Sequence, residues 1–118
     1  MMNYILKDIP VRTLKPRENG LTMVMDKGLS IREVENFLEV AGPYTDIVKL
    51  GWATSYVTPN LQDKLKVYQE AGIPTYFGGT LFEAFVMRNQ FDDYRRVLDK
   101  YGMKYAEVSE GSIPIPHE

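Results

Sequence analysis

Charged and polar side chains stand at the ends of four short, strand-like runs in this sequence. Asp26 ends the first run, Lys49 lies within the second, and Glu107 and Ser109 share one face of the fourth. The third run ends in Gly78-Gly79-Thr80. In parallel α/β proteins, ligands bind beyond the carboxyl ends of the strands, so polar residues there carry more functional weight than ordinary surface charges.

Lys49 is the most unusual of these residues, because it interrupts the apolar sequence DIVKLGW. An unpaired ammonium group is costly to bury, so a lysine in a buried parallel strand is normally paired or used in function. Its functional interpretations are binding of a phosphate or carboxylate, or proton transfer. The alternative is a lysine that reaches solvent at a sheet edge, or that pairs with a carboxylate for structural reasons alone.

Asp26 and Glu107 are candidate ligands of a divalent cation. They belong to different predicted strands and would converge on one ion if both pointed inward. Mg²⁺ would suit such a site, since it prefers oxygen ligands and usually keeps several waters. The alternative for Asp26 is a structural role in the loop before the next helix. His117, the sole histidine, has no second histidine to share a metal ion with.

The Gly78-Gly79-Thr80 turn precedes a predicted helix. Glycines let a ligand approach the backbone closely, and the first N–H groups of a helix favour an anion. A capping box formed by Thr80 and Glu83 would compete for those N–H groups. The turn by itself is therefore a weak indication of an anion site, because paired glycines also occur in ordinary turns.

The elements that must position these residues alternate between strands and helices. Helix-like segments end at Gly42, Gly72 and Gly102, at equal intervals, and each is followed by a strand-like run. Ser30 with Glu33 predicts a capped helix after the first strand. Repeated strand, helix and glycine predict parallel strands joined by right-handed crossovers.

Two further helical segments are predicted. One begins at Thr58-Pro59 and ends at Gly72, and the other begins at Thr80 and runs to Gly102. Asn89-Gln90 is a candidate break within the second of these segments.

The composition predicts one α/β domain spanning residues 1–118. The chain is 44% hydrophobic and 25% charged, with a formal net charge of -2 and no basic stripe, which argues against nucleic acid or a membrane surface as a partner. The absence of cysteine excludes disulfides and thiolate metal sites and fits a cytoplasmic protein. No apolar run approaches the roughly 20 residues of a membrane-spanning helix.

Two architectures use this order of elements: the doubly wound open sheet and the (β/α)8 barrel. The sequence contains neither G-x-G-x-x-G nor a Walker loop, which favours the barrel. A complete barrel normally needs about 250 residues. We therefore expect a TIM-barrel-type half-barrel with about four parallel strands.

Four segments of the chain resemble the phosphosulfolactate synthase family. They are GLTMVMDKG (20–28), DIVKLGWATS (46–55), AGIPTYFGGTLFEAF (71–85) and YGMKYAEVSEGSIPIP (101–116). The resemblance implies a (β/α)8-type barrel enzyme that adds sulfite to phosphoenolpyruvate, with Mg²⁺, and forms phosphosulfolactate. In archaea this product leads to coenzyme M, and in bacteria it is linked to sulfolactate.

The resemblance also suggests roles for the candidate residues. Lys49 and Glu107 would be catalytic, with Lys49 neutralising a substrate anion or delivering a proton. Asp26 and Glu107 would hold Mg²⁺. The Gly78-Gly79-Thr80 turn, together with Lys49 and Ser109, would bind the anionic substrate.

Family members continue into further strands, so this half is expected to expose a sheet edge and an apolar face. Both features are unfavourable in water and predict a homo-oligomer. The alternative function is a non-catalytic half-barrel whose main property is self-association.

Overall fold

A computed structural model of the protein describes residues 2–116, and the central element is a three-stranded parallel sheet. The strands are β1 Met23–Asp26, β2 Ile47–Leu50 and β3 Thr75–Phe77, in the spatial order β1-β2-β3. The register pairs Met25 with Lys49, and Lys49 with Tyr76. Residues in register point to the same face, so these three side chains lie on one face of the sheet.

Four α-helices accompany the strands: α1 Ile31–Ala41, α2 Leu61–Glu70, α3 Gly79–Val86 and α4 Phe91–Lys100. Short 3-10 helices at Gly42–Tyr44 and Thr54–Val57 lie on either side of β2. This order confirms the predicted α/β class and is consistent with part of a (β/α)8 barrel. Within residues 2–116, no helix is both long and apolar enough to cross a bilayer.

The core lies between the helices and one face of the sheet. One cluster of buried side chains contains Val34, Val48, Tyr68 and Ile73, and a second contains Leu50, Leu65, Phe77 and Leu81. Val48 and Leu50 flank Lys49 and both belong to this core, so strand alternation directs Lys49 to the other face. We call that other face, which carries Met25, Lys49 and Tyr76, the inner face.

Several predicted helix ends are confirmed. The capping box forms, with Ser30 Oγ accepting from Glu33 N at 3.2 Å and the Glu33 carboxylate accepting from Ser30 N at 3.0 Å. Gly72 and Gly102 follow α2 and α4 with left-handed φ angles of 73° and 64°. Asn89, with φ 58°, separates α3 from α4 at the candidate break.

The second helix begins later than predicted. Thr58-Pro59 precedes the start of α2, which follows Asn60 in a left-handed conformation. The sequence signal marked the approach to the helix, two residues before its first turn.

The predicted fourth strand is wrong. In the described part of the chain, strand pairing joins β1 to β2 and β2 to β3, and the segment 103–110 forms no strand. Its apolar side chains Tyr105 and Val108 are 52% and 73% exposed. Strands of a parallel sheet are normally buried on both faces. These two side chains are exposed, so their burial does not stabilise strand pairing here. Side-chain contacts described below hold the segment instead.

The amino ends of the strands are tied together by Asp46, which immediately precedes β2. Its carboxylate accepts from Arg17 Nη1 at 2.7 Å and from Thr22 N, just before β1, at 2.7 Å. The Arg17 side chain is only 4% exposed, so this pair is well shielded from solvent. These contacts fix the segment before β1 at the amino end of the sheet and leave the carboxyl end open.

Candidate functional site

An ion pair between Lys49 and Glu107 lies on the inner face. Lys49 Nζ is 3.2 Å from Glu107 Oε2 and 3.3 Å from Oε1. The Lys49 side chain is 16% exposed and that of Glu107 is 34% exposed. The positive charge within β2 is therefore matched by a carboxylate from the segment 103–110, as a largely buried ammonium requires.

Glu107 also lies at the amino end of α3. The backbone N–H of Gly79, the first residue of that helix, donates to Glu107 Oε1 at 2.8 Å. The Gly79 N–H is the main cause of a lowered Glu107 pKa; partial burial opposes it, and the contact with Lys49 adds to it. A helix N-terminus and an ammonium group both favour negative charge, so this point attracts a carboxylate strongly.

Close packing explains why glycines stand at this turn. A Cβ atom at Gly79 would lie 2.2 Å from Ser109 Oγ, and one at Gly78 would lie 3.2 Å from the Leu50 carbonyl oxygen. The first distance is well inside van der Waals contact. Only glycine lets the segment carrying Ser109 approach the start of α3 so closely.

The predicted Thr80–Glu83 capping box is wrong. The helix begins at Gly79 with Gly78 as its N-cap, so Thr80 lies inside the first turn and cannot cap it. The Glu83 carboxylate instead accepts from Ser109 Oγ at 2.5 Å, Ser112 N at 2.6 Å and Ile113 N at 3.1 Å. These hydrogen bonds lower the pKa of Glu83, and the bond from Ser109 has the largest effect. Glu83 thus holds residues 109–113 against α3.

A cavity of about 270 Å³ opens beside these groups. Among the described residues that line it, Lys49 is the one cation and Glu83 and Glu107 are the two carboxylates. The full lining is Met25, Lys49, Trp52, Gly78, Gly79, Thr80, Glu83, Glu107, Ser109, Gly111 and Ser112. The structure therefore brings together every candidate residue that the sequence placed on the second, third and fourth runs.

Comparison with known proteins assigns the chain to a family. The family model described as (2R)-phospho-3-sulfolactate synthase (ComA) matches residues 10–118. The chain belongs to the phosphosulfolactate synthase family. The resemblance seen in the sequence is thereby confirmed.

Three similar proteins bear the name phosphosulfolactate synthase. The Bacillus subtilis protein is 36% identical over 117 residues, which is 99% of this chain and 46% of the relative. The Methanocaldococcus jannaschii protein is 42% identical over 103 residues, covering 86% and 41% respectively. The Methanothermobacter thermautotrophicus protein is 32% identical over 111 residues, covering 92% and 43%. The chain thus spans less than half the length of these relatives.

Asp26 does not join the cavity of this phosphosulfolactate synthase family member. It is 1% exposed, and its carboxylate lies 3.0 Å from Lys64 Nζ and accepts from Tyr68 OH at 2.8 Å. Both partners belong to α2. The expected convergence of Asp26 with Glu107 is wrong, because the register places Asp26 beside Leu50 on the helix-covered face of the sheet.

The Asp26 carboxylate is fully used within the protein. Oδ1 also accepts from the N–H groups of Gly28 and Leu29 at 2.8 Å each. Burial alone would raise the pKa of Asp26, but the bonds from Leu29, Tyr68, Lys64 and Gly28 together lower it below its ordinary value. Burial, with the neighbouring Asp26 charge, raises the pKa of Tyr68. This cluster links β1, its following loop and α2.

The residues described do not fit a resident magnesium ion by themselves. Glu107 is held by Lys49 and Gly79, and Glu83 by the 109–113 segment. Within residues 2–116, no group of three or more His, Asp or Glu side chains could hold a metal ion. His117 lies outside the described residues.

Sequence reasoning missed several partners of the candidate residues. Lys64 and Tyr68 form the buried cluster with Asp26. The one feature of the sequence that could have indicated this cluster is a lysine beside Leu65 on the apolar side of α2. Tyr76 neighbours Lys49 on the inner face. The pKa of Tyr76 is raised, mainly by burial and to a smaller extent by the negative charge of Glu107. Strand register, which the sequence does not give, brings Tyr76 beside Lys49.

Trp52, in the loop after β2, lines the cavity. The indole is 63% exposed, and Trp52 and Ala53 have left-handed φ angles of 56° and 57°. Two consecutive residues other than glycine in this region hold a strained turn, a feature that clusters at functional sites. Tyr56, in the same loop, lines a separate cavity.

Proposed function

We propose that this protein acts as a phosphosulfolactate synthase, adding sulfite to phosphoenolpyruvate. The observation that carries the proposal is one ammonium group, that of Lys49, set beside the amino end of α3 in a cavity of a chain that belongs to that family. Both substrates are anions, and an ammonium with a helix N-terminus is suited to them.

The proposed reaction forms one carbon–sulfur bond and moves one proton. The sulfur lone pair of sulfite attacks the methylene carbon of phosphoenolpyruvate, and the electrons of the double bond move onto the carboxylate as an enediolate. A proton then adds to the carbon that bears the phosphate ester, and no group leaves. Lys49 would stabilise the developing charge on the carboxylate, or neutralise the phosphate, and is the candidate proton donor.

The start of α3 would seat the second anionic group. Gly78 and Gly79 place backbone without side chains at the cavity wall, and Thr80 and Ser109 add hydroxyl groups there. Glu107 remains the candidate second catalytic group, since it touches Lys49. Stabilisation by donors fixed in advance is the usual large contribution to such reactions.

Mg²⁺ is proposed as the cofactor on the family chemistry alone. A cation on the enediolate oxygens would be a suitable stabiliser. Because the described residues do not complete a site for it, we assign no step to Mg²⁺ within this chain. A cytoplasmic location is proposed with it, on the cysteine-free composition.

The activity test measures sulfite-dependent consumption of phosphoenolpyruvate, with and without Mg²⁺. Lys49→Met should lower kcat/KM by about a hundredfold or more, as removal of one charge-stabilising donor typically does. Lys66→Met, on the exposed face of α2, is the matched control and should retain the wild-type rate. Equal kcat/KM in wild type and Lys49→Met would remove Lys49 from the mechanism.

A second candidate function is a non-catalytic half-barrel that associates with itself. It is favoured by one observation: within the described residues, the outer strands β1 and β3 each pair on one side only. Stable assembly of the chain without any consumption of phosphoenolpyruvate would support this second function over the first.

A further inference from the structure

We propose that the Glu107 carboxylate occupies the anion position of the cavity, and that an anionic ligand binds by displacing it from Lys49 and Gly79. The identity of the ligand, a carboxylate, phosphate or sulfite group, rests on the proposed function. The displacement itself rests on the geometry of the cavity.

The charges of the cavity support displacement. Lys49 is the one cationic side chain among the described lining residues, and Glu107 neutralises it at 3.2 Å. Glu83 adds a second negative charge to the wall. With Glu107 in place, the cavity offers no net positive charge to an incoming anion. Moving Glu107 away exposes the Lys49 charge at the same time as it removes a repelling one.

The hydrogen bonds lead to the same inference. A backbone N–H has one proton to donate, and the Gly79 N–H gives it to Glu107 Oε1 at 2.8 Å. A ligand oxygen that takes this donor must replace the glutamate oxygen. The side-chain carboxylate therefore marks the position and the charge that a bound ligand would adopt.

Glu107 is free to move in a way that strand residues are not. It lies in segment 103–110, which makes no strand pairing within the described residues, and its side chain is 34% exposed. Rotation of the side chain breaks the contacts with Lys49 and Gly79 without opening the sheet. The neighbouring Ser109 stays attached to Glu83, so the segment itself keeps its place.

The test compares anion affinity in wild type and Glu107→Gln. Gln keeps the size and the acceptor oxygen of Glu but removes the charge that competes for Lys49. Sulfite, inorganic phosphate and phosphoenolpyruvate are titrated separately at constant ionic strength. Binding is followed by the fluorescence of Trp52, the sole tryptophan, which lines the cavity, and checked by calorimetry.

If an anion displaces Glu107, Glu107→Gln should bind at least one of these anions more tightly than the wild type, by a factor of about five or more. A factor of this size is the lower end of typical coupling between two sites. Glu35→Gln removes the same charge from the exposed side of α1 and should leave the affinity unchanged. Lys49→Met added to Glu107→Gln should abolish the gain. Circular dichroism verifies folding, and Glu107→Ala serves as a second variant if Glu107→Gln fails to fold.

Weaker or unchanged anion binding in Glu107→Gln overturns the inference, as does the absence of binding to both proteins. These outcomes are distinct from failure of the proposed function. Tighter binding of phosphate or sulfite without turnover of phosphoenolpyruvate would preserve displacement and reject the synthase activity. Turnover of phosphoenolpyruvate without any gain in anion affinity would support the synthase activity and reject displacement.

Discussion

At the scale of single residues, Asp26 is expected to matter for stability. Asp26 and Lys64 are each 1% exposed and lie 3.0 Å apart. Replacing Asp26 by Asn leaves the buried ammonium without its counter-charge, so we expect Asp26→Asn to destabilise the fold by about 3 kcal/mol or more. Urea unfolding followed by circular dichroism measures the change. Asp99→Asn, an exposed aspartate on α4, is the control and should shift stability by less than about 0.5 kcal/mol.

The same residue predicts a pH dependence. Because the folded-state pKa of Asp26 is lowered, its contribution to folding stability is fully present above the unfolded-state pKa of about 3.9. That contribution is lost as the pH falls through the lower folded-state pKa. The difference in stability between wild type and Asp26→Asn should therefore be constant near neutral pH and shrink below about pH 4. A difference that grows in acid would contradict the lowered pKa.

How far the sequence predicts the site also depends on the residue. Lys49 and Glu107 could be selected by type and position alone, because a charge inside an apolar strand or at its end is conspicuous. The same rule selects Asp26, which is a structural residue. The difference is the face of the sheet, which is set by the register with Leu50 and Lys49. A one-residue change of register would exchange the two faces, and sequence alone does not fix it.

At the scale of elements, the junction of α3 with segment 107–109 depends on Gly79. Gly79→Ala would place a Cβ 3.1 Å from Glu107 Oε1 and still closer to Ser109. We expect a lower melting temperature and altered anion binding, although alanine favours a helix more than glycine does. Gly111→Ala is the matched control, since Gly111 lines the same cavity and its Cβ would meet nothing within 4 Å. Equal melting temperatures for both variants would refute the close packing.

Glu83 is the element-scale link between α3 and the 109–113 segment. Glu83→Gln removes the charge that accepts from Ser112 N and Ile113 N. Hydrogen bonds to charged groups contribute roughly 1.5 to 3 kcal/mol, so amide exchange at these two positions should accelerate about tenfold or more. Hydrogen exchange followed by mass spectrometry measures this. Glu70→Gln, in an exposed ion pair with Lys66, is the control and should leave exchange there unchanged.

The elements themselves were predictable where local chemistry decides them. Ser30 with Glu33 caps α1 because both partners lie within one turn. Thr80 with Glu83 has the same spacing but fails, because Ser109 and the backbone of 112–113 claim the glutamate from a distant part of the chain. The fourth strand fails for a related reason, since side-chain contacts from Glu107 and Ser109 hold that segment in place of backbone pairing. Long-range partners of this kind leave no local signal.

At the scale of the whole molecule, the inner face predicts self-association. Within the described residues, β1 and β3 are the two edges of the sheet, and Met23 and Trp52 are 46% and 63% exposed. Unpaired strand edges and apolar surface favour contact with a second copy. We therefore expect sedimentation velocity to show a dimer or larger assembly at micromolar concentration.

A charge on the inner face should oppose that assembly. Met23 lies two residues before Met25 on β1 and shares its face, so Met23→Lys should shift the protein toward monomer. Val40→Lys places the same charge on the outer side of α1, where Val40 is 76% exposed, and should leave the assembly intact. A well-folded monomer for the wild type at micromolar concentration would show that the inner face is stable in water alone. An equal shift toward monomer in Met23→Lys and Val40→Lys would instead place the contact elsewhere on the molecule, because only Met23→Lys alters the inner face.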